Sequence, residues 1–434
     1  MNKKIVLPTL AIEMTRRCNM NCKFCDKGES QNLDISKSII DQTLDEVNRM
    51  FIHELRIFGG EPTLVPELID YLVDAIIDRK TIIHNAVMFT NGNVMDESIA
   101  LSFAKLLRYI NSIEQDNLKY IRYFERNYAP VYEHRKHSKA VIVVSTIARD
   151  TERVSVAHDV KSYYEQLVPD DGFEVIIQNE SFLSGGDTIF IEGNVLDHYK
   201  DVIPNPISSS LIRTVENDYY FISENDSNAE LPNATFINKT ILVSANGNVY
   251  PGCSTSYKRV DQNPMFNIMD CHNTLITEIK QWCWQHPVSE YQKKLREKNH
   301  AFHFCRDNNI SIVDAVTGKP LQDDIMAMHD TCENLINVLE TFNKQLHEFY
   351  PLATFDEIEA ISVGLICKAL RKQNCDKESI MKHMVLCANY KSDATKLILE
   401  HPNWVGSQVD RYYQKYNVPR NMFTALTDLN LMSL

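Results

Sequence analysis

The sequence predicts an α/β fold built on a parallel sheet or barrel, followed by a small β-hairpin module and a helical C-terminal extension. Three observations predict it. Runs rich in β-branched residues alternate with longer segments of helical period through the first ~200 residues, which is the pattern of repeated βα units. The helical segments start near residues that cap orphan amides or preset a first turn, such as Ser36, Pro66 and Asp96. From about Asn238 the texture changes to a hairpin, Ile241 to Tyr250, with Asn246-Gly247 reading as a two-residue turn.

In chain order, the strand candidates are Leu7–Thr15, Glu54–Phe58, Ala86–Thr90, Ala140–Ser145 and Phe173–Gln178. Helices are expected between them at Ser36–Met50, Pro66–Asp78, Asp96–Ile110 and Arg153–Leu167. Residues Ile113–Lys139 interrupt the alternation with a polar, aromatic insertion containing Tyr120, Arg122, Tyr123 and Arg126. An amphipathic surface helix whose tyrosines pack downward is the favoured reading, and a grip on an acidic or peptide substrate the alternative. After Cys305 the chain turns helical again, with Thr354-Phe-Asp-Glu357 as a capping box.

Composition narrows the function. At 434 residues, 44% apolar and 24% charged, the chain has the makeup of an ordered globular protein, and 13 Gly and 15 Pro argue against long disordered linkers. A net charge of −13 disfavours nucleic acid as a partner, because phosphate backbones require a basic footprint. The N-terminal apolar run is broken by Pro8, Thr9 and Glu13, unlike a signal peptide, and no stretch of about 18 apolar residues occurs to span a membrane. A cytoplasmic protein with no membrane partner is expected. Eleven cysteines in such a chain read as metal ligands and buried thiols rather than a disulfide framework.

Their spacing carries the chemistry. Cys18, Cys22 and Cys25 form a C-x3-C-x2-C loop directly after the first strand. Three thiolates hold three irons of a cubane and leave the fourth without a protein ligand, and an open coordination site marks a catalytic centre. A zinc site is the alternative, but structural zinc takes four Cys or His ligands and no matching second pair follows nearby.

This loop, with aromatic Phe24 before its last cysteine, resembles the CxxxCxΦC signature of the radical S-adenosylmethionine (SAM) superfamily. Phe58-Gly59-Gly60-Glu61-Pro62, about 35 residues further on, resembles its GGEP motif. Thr90-Asn91-Gly92 at the end of the third strand candidate, and Ser145 at the end of the fourth, occupy positions where relatives contact SAM. The resemblance implies a partial (β/α)6 barrel over residues 1–235, with the site at the C-terminal ends of its strands. It further implies a [4Fe–4S] cluster on Cys18, Cys22 and Cys25, with SAM chelating the open iron. One-electron reduction by a donor such as flavodoxin or ferredoxin then yields a 5′-deoxyadenosyl radical. In this reading Phe24 lies close to the adenine, Glu61 accepts from the SAM ammonium, and Gly59, Gly60 and Pro62 shape the approach to the ligand.

The next module, residues 236–310, resembles a SPASM or Twitch domain. Cys253 and Cys271 fit the C-x9–15-G-x4-C frame, with Phe266 where the family has Gly. Cys305 is the third candidate ligand of one auxiliary iron–sulfur cluster, with Cys283, a non-Cys side chain or an open position as the fourth. The alternative is a cluster-free Twitch fold whose cysteines are buried apolar residues. Residues 311–434 form the helical extension, where Cys367 and Cys387 read as core. The implied reaction is hydrogen-atom abstraction from a peptide or protein, leading to a crosslink, epimerisation or oxidation. Oxidation or rearrangement of a small polar metabolite is the second reading, and a non-catalytic iron–sulfur protein a third.

Overall fold

The computed structural model describes residues 5–48, 50–132, 139–145, 151–167, 173–178, 189–208, 212–213, 222–225, 234–237, 240–252, 255–285, 303–313, 318 and 320. They fall into two units. The first comprises Met1–Thr188, Glu192–Val202 and Tyr220–Trp282, and the second Ile189–Ile191, Ile203–Tyr219 and Cys283–Leu434.

The first unit is a βα alternation around one sheet. Its elements are β1 (Ile5–Glu13), α1 (Lys37–Val47), β2 (Met50–Phe58), α2 (Pro66–Asp78), β3 (Ile82–Thr90), α3 (Glu97–Tyr132), β4 (Ala140–Ser145), α4 (Thr151–Leu167) and β5 (Glu174–Gln178). β1 through β5 pair in sequence and in parallel, with Ile12 opposite Ile57, Ile57 opposite Met88, Thr90 opposite Val144 and Ser145 opposite Gln178. Every loop that follows one of these strands therefore leaves the same edge. Val6 to Glu13 of β1 are all buried, as a central parallel strand covered on both faces must be.

The helices cover that sheet for reasons visible in their sequence. Ser36 caps α1 by accepting from the Ile39 amide at 3.2 Å, and Ile39, Ile40, Thr43, Leu44 and Val47 form its buried stripe. Pro66 opens α2, which buries Ile69, Leu72, Val73 and Ile76, each aliphatic side chain contributing roughly 1.5–3 kcal/mol. Asp96 accepts from the Ser98 amide at 2.8 Å at the start of α3. This helix continues to Tyr132, so the aromatic insertion is largely a prolongation of the helix. Tyr120 packs downward as expected, buried and stacked on Phe51 with 5.4 Å between ring centroids.

The sixth parallel strand comes from far along the chain. The second unit contains β6 (Ile189–Phe190), β7 (Ile207–Ser208), β8 (Ile212–Arg213) and, after residue 300, β14 (Ile312–Val313). There β6 pairs with β8 and β14 with β7. Back in the first unit, α5 (Asn194–Val202) is followed by β9 (Ile222–Asn225), β10 (Ala234–Ile237), β11 (Thr240–Val243), β12 (Asn248–Pro251), α6 (Tyr257–Gln262), β13 (Phe266–Asn267) and α7 (Leu275–Gln285), of which the residues up to Trp282 belong to this unit. β11 lies parallel to β1, Leu10 opposite Ile241, and completes the parallel run β11-β1-β2-β3-β4-β5, while β10 also pairs with β1 in parallel, Ile5 opposite Thr235. β12 and β13 add antiparallel strands outside it.

Two expectations change here. The hairpin is hydrogen-bonded into the main sheet, and its residues group with the first unit. Its turn is also longer than two residues. The Ser244 amide donates to the Asn248 carbonyl at 2.9 Å across a three-residue loop, Ala245–Gly247, with Gly247 at φ 85°, as a type I turn followed by a left-handed glycine requires. Ile312–Val313 form a strand within the stretch expected to be helical. The remaining helices expected beyond residue 320 lie outside the described residues.

One histidine inside the sheet has a lowered pKa. His84 on β3 lies beside His53 on β2, ring centroids 5.3 Å apart. Burial first, and then the Lys139 cation, push the His84 pKa down to about 4, with Glu114 opposing. The folded value lies below the usual ~6.5, so the unfolded chain takes the proton first. The stabilisation from a neutral His84 is complete above pH ~6.5 and is lost as pH falls toward 4, at about 1.4 kcal/mol per unit. Thermal midpoints should fall over this window in the parent and fall less steeply in His84→Phe. Equal slopes would assign the titration to another group.

Candidate functional site

The cysteine triplet sits on a loop closed at its base by its own backbone. Met14 donates to the Phe58 carbonyl at 2.8 Å, Ile35 to the Met14 carbonyl at 2.9 Å, and Arg16 to the Leu33 carbonyl at 2.7 Å. Thr15 Oγ1 donates to Asp34 Oδ1 at 2.5 Å and Arg17 Nε to the same oxygen at 2.8 Å. From this base project Cys18, Cys22, Phe24 and Cys25, all half-buried. The Cys18 amide donates to Ser30 Oγ at 2.9 Å, and the Cys25 amide to the Cys22 carbonyl at 3.2 Å.

Gly59 and Gly60 pack on that loop. The Gly60 amide donates to the Thr15 carbonyl at 2.7 Å and the Glu61 amide to the Arg17 carbonyl at 2.8 Å. A Cβ on Gly59 would stand 2.3 Å from the Thr15 oxygen, and one on Gly60 2.3 Å from the Arg17 oxygen. The close approach the glycines permit is thus to the cysteine loop itself, so the two motifs are one structure.

Glu61 ties this turn to the next strand. It is fully buried, and its Oε1 accepts from the Thr63 amide at 3.0 Å, Thr63 Oγ1 at 2.7 Å and Thr90 Oγ1 at 2.7 Å. Oε2 accepts from the Asn91 amide at 2.6 Å. A carboxylate engaged by four donors of its own chain is a strut between the ends of β2 and β3. Pro62 begins the short 3-10 turn Pro62–Leu64 that holds it. Asn91 then reaches the loop, its Nδ2 lying 2.8 Å from Asn19 Oδ1 and 3.9 Å from Cys18 Sγ. Ser145, half-buried, ends β4 on the same sheet edge.

Residues that carried no motif complete the cradle. The buried Asn194 donates through its amide to the Cys25 carbonyl and through Nδ2 to the Cys22 carbonyl, both at 2.9 Å. Gly193 precedes it at φ 60°, where a Cβ would lie 2.4 Å from the Asp26 oxygen and 2.5 Å from the Cys25 oxygen. Lys27 donates to the Thr255 carbonyl at 3.2 Å, lies 4.9 Å from the Phe58 ring centroid, and accepts at its own carbonyl from the Tyr257 amide at 3.0 Å. A Gly-Asn pair opening a helix was the available sequence signal for Gly193 and Asn194.

The electrostatics suit bound metal better than bare thiolate. Burial, and then the neighbouring Asp26, push the Cys25 thiol up to about 11. Asp26 is itself raised, by burial and by Glu192 against the pull of Lys27. A metal binding here displaces a proton from each thiol. Among the described residues no three His, Cys, Asp or Glu side chains already converge on one point, so the thiols must turn inward around an incoming cluster. The donor set, three thiols and no disulfide on one anchored loop, fits iron–sulfur chemistry.

Cys253 lies outside the described residues. Cys271, in the first unit, is half-buried after a 3-10 turn; its thiol donates to the Asn273 carbonyl at 3.0 Å and is pushed up to about 11 by burial, Glu46 and Glu278. Cys305, in the second unit, is fully buried, and burial pushes its thiol up to about 12. No helix among the described residues is long and apolar enough to cross a membrane.

Comparison with known proteins covers the same region. The family model described as "Radical SAM superfamily" matches residues 12–130. An uncharacterized protein of Methanocaldococcus jannaschii, MJ0907, is 32% identical over 103 residues, which is 22% of this chain and 35% of that protein. A probable GTP 3',8-cyclase of Thermoplasma volcanium is 34% identical over 86 residues, 19% of this chain and 26% of the relative. The chain therefore spans about a third of the first relative and about a quarter of the second. Among solved structures, BtrN in complex with AdoMet and 2-DOIA is similar over 64% of this chain and 82% of its own, at 15% identity and a TM-score of 0.32. Residues 12–130, which hold the cysteine loop, the Gly-Gly-Glu turn and Asn91, are thus the part of this chain that is similar to the radical SAM superfamily.

Proposed function

We propose that this chain cleaves SAM reductively at a [4Fe–4S] cluster held by Cys18, Cys22 and Cys25, and uses the 5′-deoxyadenosyl radical to take a hydrogen atom from a peptide or protein. The observation that carries this reading is the anchored triplet. Three thiols follow the C-terminal end of β1; Asn194 donates to the Cys22 and Cys25 carbonyls, and the Gly60 and Glu61 amides donate to the Thr15 and Arg17 carbonyls just before the triplet. When bound, the cluster supplies one electron and an open iron for SAM.

The chain's own part is positioning. Glu61 sets the β2 and β3 ends against each other, Gly59 and Gly60 seat the loop, and Phe24, Thr90, Asn91, Pro62 and Ser145 line the strand edge on which SAM would lie. A flavodoxin or ferredoxin is the proposed electron donor, in a cytoplasmic setting. One auxiliary cluster on Cys253, Cys271 and Cys305 belongs to the same proposal. The name of the Thermoplasma relative favours a second reading, a small polar metabolite as substrate.

The test is anaerobic reconstitution, counting iron and sulfide per chain, followed by reductant and SAM. About four irons indicate one cubane and about eight indicate two. Release of 5′-deoxyadenosine is the expected result, and iron-loaded protein that forms none would overturn the proposal. Deuterium-labelled peptide and metabolite pools then separate the substrates by which one labels the 5′-deoxyadenosine.

A further inference from the structure

We infer that the side-chain amide of Asn91 donates a hydrogen bond to the Cys18 sulfur in the cluster-bound protein, and that this bond raises the reduction potential of the cluster. The inference rests on the cluster reading above and assigns Asn91 to the metal centre rather than to SAM alone.

The amide's orientation is fixed by its partners. Asn91 Oδ1 accepts from the Asn93 backbone amide at 2.9 Å, so the oxygen faces its own turn and Nδ2 must face the cysteine loop. The two hydrogens of Nδ2 then have two acceptors, Asn19 Oδ1 at 2.8 Å and Cys18 Sγ at 3.9 Å. The backbone that carries this side chain is held as well. The Asn91 amide donates to Glu61 Oε2 at 2.6 Å, and the Gly92 amide to Thr90 Oγ1 at 3.0 Å, which itself donates to Glu61 Oε1 at 2.7 Å. Glu61 is fully buried, so this donor rests on a rigid support on β3, independent of the loop that carries the sulfur.

An iron-bound thiolate is a charged acceptor, and bonds to charged acceptors are the stronger kind. Adding an electron increases the negative charge on the sulfurs, so a fixed donor favours the reduced state more than the oxidised one. Hydrogen bonds to the sulfurs are among the determinants of iron–sulfur potentials. Losing the donor therefore moves the midpoint to more negative values and makes the centre harder for a donor protein to reduce.

The test compares the reconstituted parent with Asn91→Ala, Asn91→Asp and Asn19→Ala, with SAM absent. Iron and sulfide are counted, and the midpoint of the triplet's cluster is read by EPR-monitored redox titration. The midpoint is a property of whatever cluster is bound, so partial loading does not obscure it. Asn91→Ala should shift it negative, and Asn91→Asp further, because the donor becomes a charge. Asn19→Ala, which leaves the sulfur as the remaining acceptor of the amide, should hold the parent's value or exceed it. Asn91 variants at the parent's midpoint would overturn the inference, as would Asn91 variants that retain no cluster, since the residue would then act in assembly. A parent that binds no iron and sulfide removes the cluster reading itself, a result distinguishable from both.

Discussion

Cys18→Ala, Cys22→Ala and Cys25→Ala are each expected to reduce bound iron from about four to below about one per chain for the cluster of this loop, and 5′-deoxyadenosine to the level of protein-free controls. Each thiolate holds one iron, and the remaining half-buried loop offers no replacement: no three ligating side chains converge there among the described residues. The fold should survive these changes. The loop base is held by Met14, Thr15, Arg16 and Asp34, not by the cysteines, so circular dichroism and thermal midpoints of the metal-free variants should match metal-free parent. If a second cluster assembles elsewhere, iron falls from about eight to about four instead, while SAM cleavage still disappears. A Cys18→Ala protein that keeps the parent's iron and cleavage would refute the assignment of the triplet.

The strands and the motif residues were legible because both are local signals. β4 and α2 match the sequence reading residue for residue, α2 because Pro66 presets its first turn. β2 is longer than the sequence predicts and the preceding helix shorter, since Met50 to Ile52 continue the apolar spacing of α1 and only Asn48 and Arg49 intervene in the sequence. α3 ran past its expected end because its second half is polar and aromatic, a composition that periodicity does not separate from a loop. What the sequence could not reveal is long-range. Nothing near Thr240 announces that it lies opposite Thr9, and a hairpin reads the same whether it stands alone or extends a sheet. The roles of Glu61 and Asn194 likewise depend on donors and acceptors 29 to 172 residues away.

Arg16→Met is expected to destabilise the first unit by about 3–5 kcal/mol, the cost of breaking a buried ion pair by removing one partner. The guanidinium is 1% exposed, two residues before Cys18. Its Nε donates to Glu13 Oε2 at 3.0 Å, and its terminal nitrogens to Gln31 Oε1 at 2.9 Å and, in a fork, to both oxygens of Asp261 at 2.7 and 2.8 Å. The Tyr257 ring lies 4.8 Å away. One side chain thereby ties β1, the cysteine loop and α6 together, and sequence reading passed over it because an arginine pair ahead of a cysteine looks like surface charge. Removing it leaves Glu13, which is 2% exposed, with the Ala245 amide still donating to it at 3.0 Å. The thermal midpoint of the unit should fall by on the order of 10 °C. Arg16→Lys should fall between parent and methionine, since an ammonium keeps the charge but not the fork. Acid should show the same pair from the other side. Burial works against the Asp261 carboxylate, yet the bonds from Arg16, Asn246 and Asn248 hold its pKa below the ordinary value. Its contribution is therefore present above pH ~3.9 and disappears as pH falls through the lower folded value. Arg16→Met should lack that acid-dependent component, and a variant that melts with the parent at neutral pH would mean the clamp contributes nothing to holding the loop.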